Sequence, residues 1–116
     1  MKSDDVKNLI DGYLAAWNES DAMTRLQILQ RVWADDGHFT GWGSDVKGRD
    51  ALSHIIARLH KSVPGTVFSL NGALTISTNF VLFAYIIKAP NGIELNGTDF
   101  GEIADDGRLR RIVTFF

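Results

Sequence analysis

Cysteine is absent from this sequence and proline is scarce, with only Pro64 and Pro90. Without cysteine the protein can have neither a disulfide framework nor a thiolate metal site. No apolar run approaches the ~20 residues that a membrane-spanning helix needs, and no cluster of Lys and Arg is long enough for a nucleic-acid surface. We therefore expect neither a membrane nor a nucleic acid among the partners of this chain.

The composition bounds the size and the location of the protein. Its 116 residues, 45% of them hydrophobic, carry a formal net charge of −2 and suit one domain, residues 1–116. Charged residues interrupt the amino-terminal segment before an apolar signal core can form, so we expect a cytoplasmic protein. No cofactor or metal is expected, because His54 and His60 do not have the i, i+4 spacing of two ligands on one helix face.

Hydrophobic periodicity predicts three helices in the first half of the chain. In the first, which Ser3 or Asp4 can cap, one apolar stripe recurs at helical spacing: Val6, Leu9, Ile10, Tyr13, Leu14 and Trp17. A second helix is predicted from Ala22 to Ala34 and a third from Arg49 to Lys61. Pro64 and Gly65 end the helical half of the chain.

A β-sheet is predicted for the second half. The predicted strands are Val67 to Ser77, Phe80 to Ala89, Ile93 to Ala104 and Arg108 to Phe116, and a short strand followed by a glycine-rich loop precedes the third helix, at His38 to Val46. This order predicts the α+β class, with three amino-terminal helices packed on a curved, mainly antiparallel sheet. Such an arrangement leaves a cone-shaped pocket of a kind that often binds small molecules.

An acidic residue interrupts the inward face of one predicted strand. The alternating residues of this face are Leu95, Gly97, Asp99, Gly101 and Ile103. The two glycines leave space beside Asp99, and a carboxylate in apolar surroundings is costly unless it has a partner. Two interpretations are open: Asp99 is a structural residue bonded to the backbone or a core hydroxyl, or it is a pocket carboxylate.

The last predicted hairpin fixes a register. A two-residue turn at Asp106-Gly107 would pair Glu102 with Arg111 and Asp99 with Thr114. Ile112, Thr114 and Phe116 would then share the inward face with Asp99.

A second copy of the chain is the predicted cover for the outer sheet face. The run from Phe80 to Ile87 is apolar on both faces, as in a strand covered on both sides, and three helices can cover only one. We expect a homodimer through the outer sheet face with Phe83, Phe100 or Phe115 at its centre.

Three segments carry a resemblance to a known family: YLAAWNESD, WADDGHFTGWGSDVKGRDAL and GTDFGEIADDGRLRRIVTFF. Together they resemble the SnoaL-like branch of the nuclear transport factor two-like superfamily, a set of small bacterial proteins that includes relatives of ketosteroid isomerase and polyketide cyclases. The resemblance covers almost the whole chain and implies a protein with a small-molecule pocket. Whether it also acts as an isomerase, cyclase or dehydratase on a small, apolar carbonyl compound is left open. A non-catalytic ligand-binding or dimerisation module is the alternative.

The resemblance also implies candidate catalytic residues. Ketosteroid isomerases combine a helix tyrosine and a strand carboxylic acid in an oxyanion hole, and the matching positions here are Tyr13 and Asp99. Their carboxylate base corresponds to Gly41, so an acid is missing where the isomerase pattern has one. His38 is the candidate to replace it, unless strand alternation turns Phe39 inward and His38 outward.

We expect the ligand, a small apolar organic molecule, to lie among residues of the first and third helices, the glycine loop and the inward sheet face. The expected lining residues are Trp17, Phe39, Trp42, Ile56, Gly97, Gly101, Ile112 and Phe116. For Trp42 the alternative is simple packing in the loop.

Overall fold

The computed structural model describes residues 2–116. Within them the three helices are α1 (Ser3–Asn18), α2 (Ala22–Val32) and α3 (Arg49–Ser62). The strands are β1 (Trp33–Gly41), β2 (Ser44–Lys47), β3 (Val67–Leu70), β4 (Thr75–Ser77), β5 (Phe80–Lys88), β6 (Glu94–Ile103) and β7 (Leu109–Phe115).

The fold is α+β, as predicted, with the strands in one curved, unclosed sheet. The order is β2-β1-β7-β6-β5-β3, and β4 pairs with the remaining part of the β5 edge. All pairings are antiparallel except that of β1 with β7, which is parallel. The predicted α1 stripe is buried against the inner sheet face, so the helices and the concave side of the sheet enclose the core.

The start of β1 corrects the prediction for α2. The helix was expected to reach Ala34, but it ends at Val32 and the chain is extended from Trp33 onward. Trp33 is fully buried, stacks on Tyr13 at 5.8 Å and pairs with Leu109 of β7. Long-range packing therefore overrides the local helical pattern.

The β6–β7 hairpin has the predicted register but a different turn. Asp99 lies opposite Thr114, and Glu102 lies opposite Arg111, as predicted. The loop, however, has three residues rather than two, because Ala104 pairs with Arg108 and closes a turn ending in the left-handed Gly107. Between the pairs Glu102–Arg111 and Ile103–Leu109, β7 has one extra residue, a β-bulge. This bulge offsets the extra loop residue and restores the predicted register.

The outer sheet face carries an apolar patch from β5, Phe100 of β6 and Phe115 of β7, beside the polar Thr98 and Glu102 of β6. Phe80 stacks on Phe100 at 5.5 Å, while Leu82 and Phe115 are 46% and 58% exposed. The expectation that Phe83 lies at the centre of this face is wrong. Phe83 is buried in the core, because strand alternation turns it toward the helices.

Membrane insertion through a helix is not supported within residues 2–116, where each helix is too short or too polar to cross a bilayer.

Candidate functional site

An open apolar cavity of about 410 Å³ lies at one end of the sheet. The end of α3 and the hairpin joining β5 to β6 form its sides. Its lining residues are Trp42, Leu59, Val63, Thr66, Tyr85, Ile87, Ala89, Asn91, Ile93, Leu95, Asn96 and Phe116. The volume is that of a small-molecule site, and few of the lining side chains are polar.

A much smaller chamber of about 10 Å³ lies deeper, against α1. It has room for about one water molecule. Its lining residues are Tyr13, Leu14, Trp17, Phe39, Trp42, Phe68, Tyr85, Asp99 and Thr114. Trp42 and Tyr85 border both spaces, so these two side chains form the wall between the open cavity and the chamber.

Asp99 is the buried carboxyl group of the chamber. The residue is 4% exposed, and its Oδ1 atom has no hydrogen-bond partner among the described residues. Burial raises the pKa of Asp99 to about 7, although the neighbouring Thr114 hydroxyl acts in the opposite direction. Near neutral pH the protonated and ionised forms are therefore both populated, which a carboxyl group used as an acid requires.

Tyr85 brings a hydroxyl group to Thr114, the strand partner of Asp99. Its side chain crosses β6 above Gly97, where a Cβ atom would overlap the phenol ring. The Tyr85 hydroxyl lies 2.5 Å from the Thr114 hydroxyl on β7, and Thr114 lies directly opposite Asp99. Side chains from three strands thus follow one another as a series of polar groups, the polar chain Asp99–Thr114–Tyr85, in which Asp99 and Thr114 are strand partners that line the same chamber.

Tyr13 lines the chamber together with Asp99. Its ring is held between Trp33 and Trp17, at centroid distances of 5.8 and 6.5 Å. Burial, and then the charge of Asp99, raise the pKa of Tyr13 well above its ordinary value. Tyr13 is therefore a neutral hydroxyl group beside the buried acid.

The structure separates the expected pocket residues into two groups. Trp42 and Phe116 line the open cavity, whereas Trp17 and Phe39 line the chamber. The expected lining role is wrong for four residues, which border neither the cavity nor the chamber: Ile56, Gly97, Gly101 and Ile112.

Protein side chains fill the room that these glycines leave. The phenol of Tyr85 occupies the space at Gly97, and Val81 and Ile112 lie 3.0 and 3.2 Å from a Cβ built at Gly101. Ile56 is fully buried within the same continuous core. The inward sheet face is accordingly packed rather than open.

His38 lies outside both spaces, on the outer face of β1. Its Nε2 atom contacts a carboxylate oxygen of Asp45, and Arg111 Nη1 donates to its Nδ1 atom at 3.1 Å. The bond from His38 lowers the pKa of Asp45. The expectation of His38 as a pocket base is therefore not supported, because Phe39 takes the inward position.

Gly41, the position of the missing base, has no room for an acidic side chain. Its φ of +152° is one that residues with a side chain rarely adopt, and a Cβ there would overlap the methyl group of Thr114. Packing against Thr114 therefore opposes a carboxylate at this position.

Trp42 is held at the tip of the β1–β2 turn with a left-handed φ of 51°. Its indole ring packs on Trp17, Tyr85 and Phe116 at centroid distances of 5.0, 6.3 and 5.8 Å. Sequence reasoning missed Tyr85 and gave Thr114 no role. Tyr85 alternates with Phe83, which was expected on the outer face, so alternation alone carried no signal for Tyr85.

No metal site accompanies this arrangement, since no group of three or more acidic, His or Cys side chains suited to an ion occurs within residues 2–116.

The fold and the site define a small α+β protein built around a ligand-sized cavity. The chain belongs to the SnoaL-like domain family, which matches residues 10–112. This family and its fold confirm the resemblance found in the sequence.

Solved structures of bacterial proteins share this fold. A candidate isomerase of the SnoaL-like family from Agrobacterium tumefaciens is 28% identical over 93% of each chain, with a TM-score of 0.86. A candidate polyketide cyclase from Sinorhizobium meliloti is 18% identical over 99% of this chain and 100% of its own, with a TM-score of 0.78. TsrD from Streptomyces laurentii is 16% identical over 99% and 90%, with a TM-score of 0.79. No curated protein matches the chain.

Proposed function

We propose that this protein binds a small, mainly apolar organic molecule carrying one hydrogen-bond acceptor, such as a carbonyl group. The observation that carries the proposal is the open cavity of about 410 Å³ beside a buried polar chain. Apolar walls favour a hydrophobic ligand. Tyr85, which borders both the cavity and the chamber, supplies a hydroxyl group in the wall between them and bonds to Thr114.

Acid-assisted conversion of such a carbonyl compound, by isomerisation, cyclisation or dehydration, is the second candidate function. It is favoured by Asp99, whose pKa of about 7 allows a neutral acid at physiological pH. The remaining titratable residues that line either space are Tyr13 and Tyr85. With no carboxylate base at Gly41, binding is the function that the geometry supports best.

The binding proposal is tested by filling the cavity. Ala89 lines the cavity at the end of β5. The probe is an apolar fluorescent ketone, 6-propionyl-2-(dimethylamino)naphthalene. Ala89→Trp should weaken its binding by at least about tenfold, because the indole occupies the ligand's volume. Ala104→Trp is the matched control, since Ala104 is also a half-buried alanine at a strand end but lines neither space. Equal affinity in both variants would contradict the proposal.

A catalytic role is tested on a β,γ-unsaturated cyclic ketone. If the wild-type protein converts this ketone to its conjugated isomer and Asp99→Asn does not, the second candidate function is established. Binding without conversion leaves the protein as a ligand-binding module.

We further propose a homodimer in the bacterial cytoplasm, formed through the outer sheet face. The exposed apolar side chains of Phe80, Leu82 and Phe115 support this association. The bacterial origin of the similar structures supports the source.

A further inference from the structure

The buried acid and the open cavity are separated by the wall that Tyr85 and Trp42 form. Asp99 lines the chamber but not the open cavity, whereas Tyr85 lines both. A chamber of about 10 Å³ excludes any organic ligand from direct contact with Asp99. An effect of Asp99 on a molecule in the cavity must therefore pass through the wall.

The polar chain Asp99–Thr114–Tyr85 is a route through this wall. Each of its two hydroxyl groups carries one proton and can accept hydrogen bonds at the same time. The direction of the bond between Tyr85 and Thr114 is consequently free, and either oxygen can be the donor over the 2.5 Å that separates them.

Ionisation of Asp99 fixes this direction, and protonation frees it. An ionised carboxylate only accepts, so in a bond between the strand partners Asp99 and Thr114 the threonine is the donor, and Tyr85 then donates to Thr114. A neutral carboxylic acid can donate to Thr114, which then donates to Tyr85. In that state the phenolic proton of Tyr85 is no longer used within the chain.

We propose that Tyr85 recognises the hydrogen-bond acceptor of a molecule in the open cavity, and that protonation of Asp99 releases the Tyr85 proton for this contact. The inference rests on the proposed binding function and deepens it, because it names the contact residue, the ligand chemistry and the pH dependence. A neutral acceptor such as a ketone is bound more tightly when Asp99 is protonated. Tyr85 is a binding residue, and Asp99 and Thr114 act through it.

Few other titratable groups face Asp99. Of the residues that line its chamber, Tyr13 on α1 and Tyr85 on β5 are the remaining titratable ones. The pKa of Tyr13 is raised well above its ordinary value, and that of Tyr85 to about 12. Both remain neutral between pH 6 and 8, so Asp99 is the group of this chamber that changes charge in that range.

The first test compares two dyes at pH 6 and pH 8. We expect the ketone 6-propionyl-2-(dimethylamino)naphthalene to bind about fivefold more weakly at pH 8, the factor that one ordinary hydrogen bond produces. The parent 2-(dimethylamino)naphthalene, which lacks the carbonyl group, should bind equally at both pH values. Tyr85→Phe should bind the ketone at pH 6 as weakly as the wild type does at pH 8.

Two threonine variants separate the relay from general effects on the fold. Thr114→Val interrupts the chain and should remove the pH dependence of ketone binding. Thr40→Val is the control, because Thr40 is also a strand threonine but bonds to Asp45 on the outer face. It should retain the wild-type pH dependence.

A measurement without ligand tests the chain directly. When Asp99 is ionised, Tyr85 supports the bond that Thr114 donates, so Tyr85→Phe should raise the Asp99 pKa by about half a unit or more in a carbon-13 NMR titration. An unchanged Asp99 pKa in both Tyr85→Phe and Thr114→Val would overturn the relay.

The outcomes distinguish the two proposals. If neither dye binds at any pH, the proposed binding function fails and recognition through Tyr85 fails with it. If the ketone binds equally at pH 6 and pH 8, the cavity function stands and the role of Tyr85 is overturned.

Discussion

Asp99 shows how a single buried residue can make folding depend on pH. An aspartate in an unfolded chain loses its proton near pH 4, whereas burial raises the pKa of folded Asp99 to about 7. Between these values the folded state binds more protons than the unfolded state. The contribution of Asp99 to stability is therefore fully present below about pH 4 and is lost as the pH rises toward 7.

Replacing Asp99 with Asn should remove this dependence. We expect the free energy of unfolding of Asp99→Asn, relative to wild type, to increase by up to roughly 4 kcal/mol between pH 4 and pH 8. Urea unfolding at several pH values measures it, and Asp105→Asn, at an exposed loop position, is the matched control. A constant difference between Asp99→Asn and wild type at all pH values would show that Asp99 ionises as a solvent-exposed group does.

At the scale of elements, the pairing of β5 with β6 positions the site. Tyr85 and Gly97 are directly opposite each other, and the absence of a side chain at Gly97 lets the phenol of Tyr85 cross β6 and reach Thr114 on β7. A glycine in a strand costs backbone entropy, but here it permits the polar chain and completes the wall of the open cavity. The strand pairing therefore determines which side chain separates the cavity from Asp99.

A double-mutant cycle tests this cross-strand packing. Gly97→Ala should lower the free energy of unfolding by about 1–3 kcal/mol, because the added methyl group overlaps the Tyr85 ring. The leucine of a Tyr85→Leu background lacks the overlapping ring atoms. In that background Gly97→Ala should lower the free energy of unfolding by less than about 1 kcal/mol. If Gly97→Ala lowers the free energy of unfolding equally in both backgrounds, its effect comes from the backbone and not from contact with Tyr85.

At the scale of the whole molecule, the helices cover one face of the sheet and leave the other exposed. Leu82 and Phe115 lie on this outer face, and Phe80 stacks there on Phe100. In a symmetric dimer the same patch is buried on both copies, so one substitution changes the interface twice. The cavity lies at one end of the sheet, so the proposed dimer would leave the proposed ligand site on a separate surface.

Leu82→Glu should convert the proposed dimer to a monomer at micromolar concentration, because association would bury two unpaired carboxylates. Sedimentation velocity measures the change. Met23→Glu is the control, since Met23 is 75% exposed on α2 and lies away from the outer sheet face. A wild-type protein that sediments as a monomer would refute the dimer.

The sequence by itself determined the elements whose signals are local. Helical spacing predicted α1 and α3, alternation placed Asp99 on the inner face, and counting along β6 and β7 paired Asp99 with Thr114. Each of these features depends on residues that are close together in the sequence or that belong to one hairpin. The three-residue loop at Gly107 left that register unchanged only because a bulge compensated for it.

Only the tertiary structure decided which side chains fill the spaces around Asp99. Trp33 begins a strand because its indole packs on Tyr13, and Tyr85, distant in the sequence from Asp99, occupies the room above Gly97. The same packing encloses Asp99 in a chamber with Tyr13 and turns His38 to the outer face. Alternation specifies the face on which a residue lies, but the contacts on that face come from residues far apart in the chain. Their close packing sets the size of the cavity, and the burial it produces raises the pKa of Asp99.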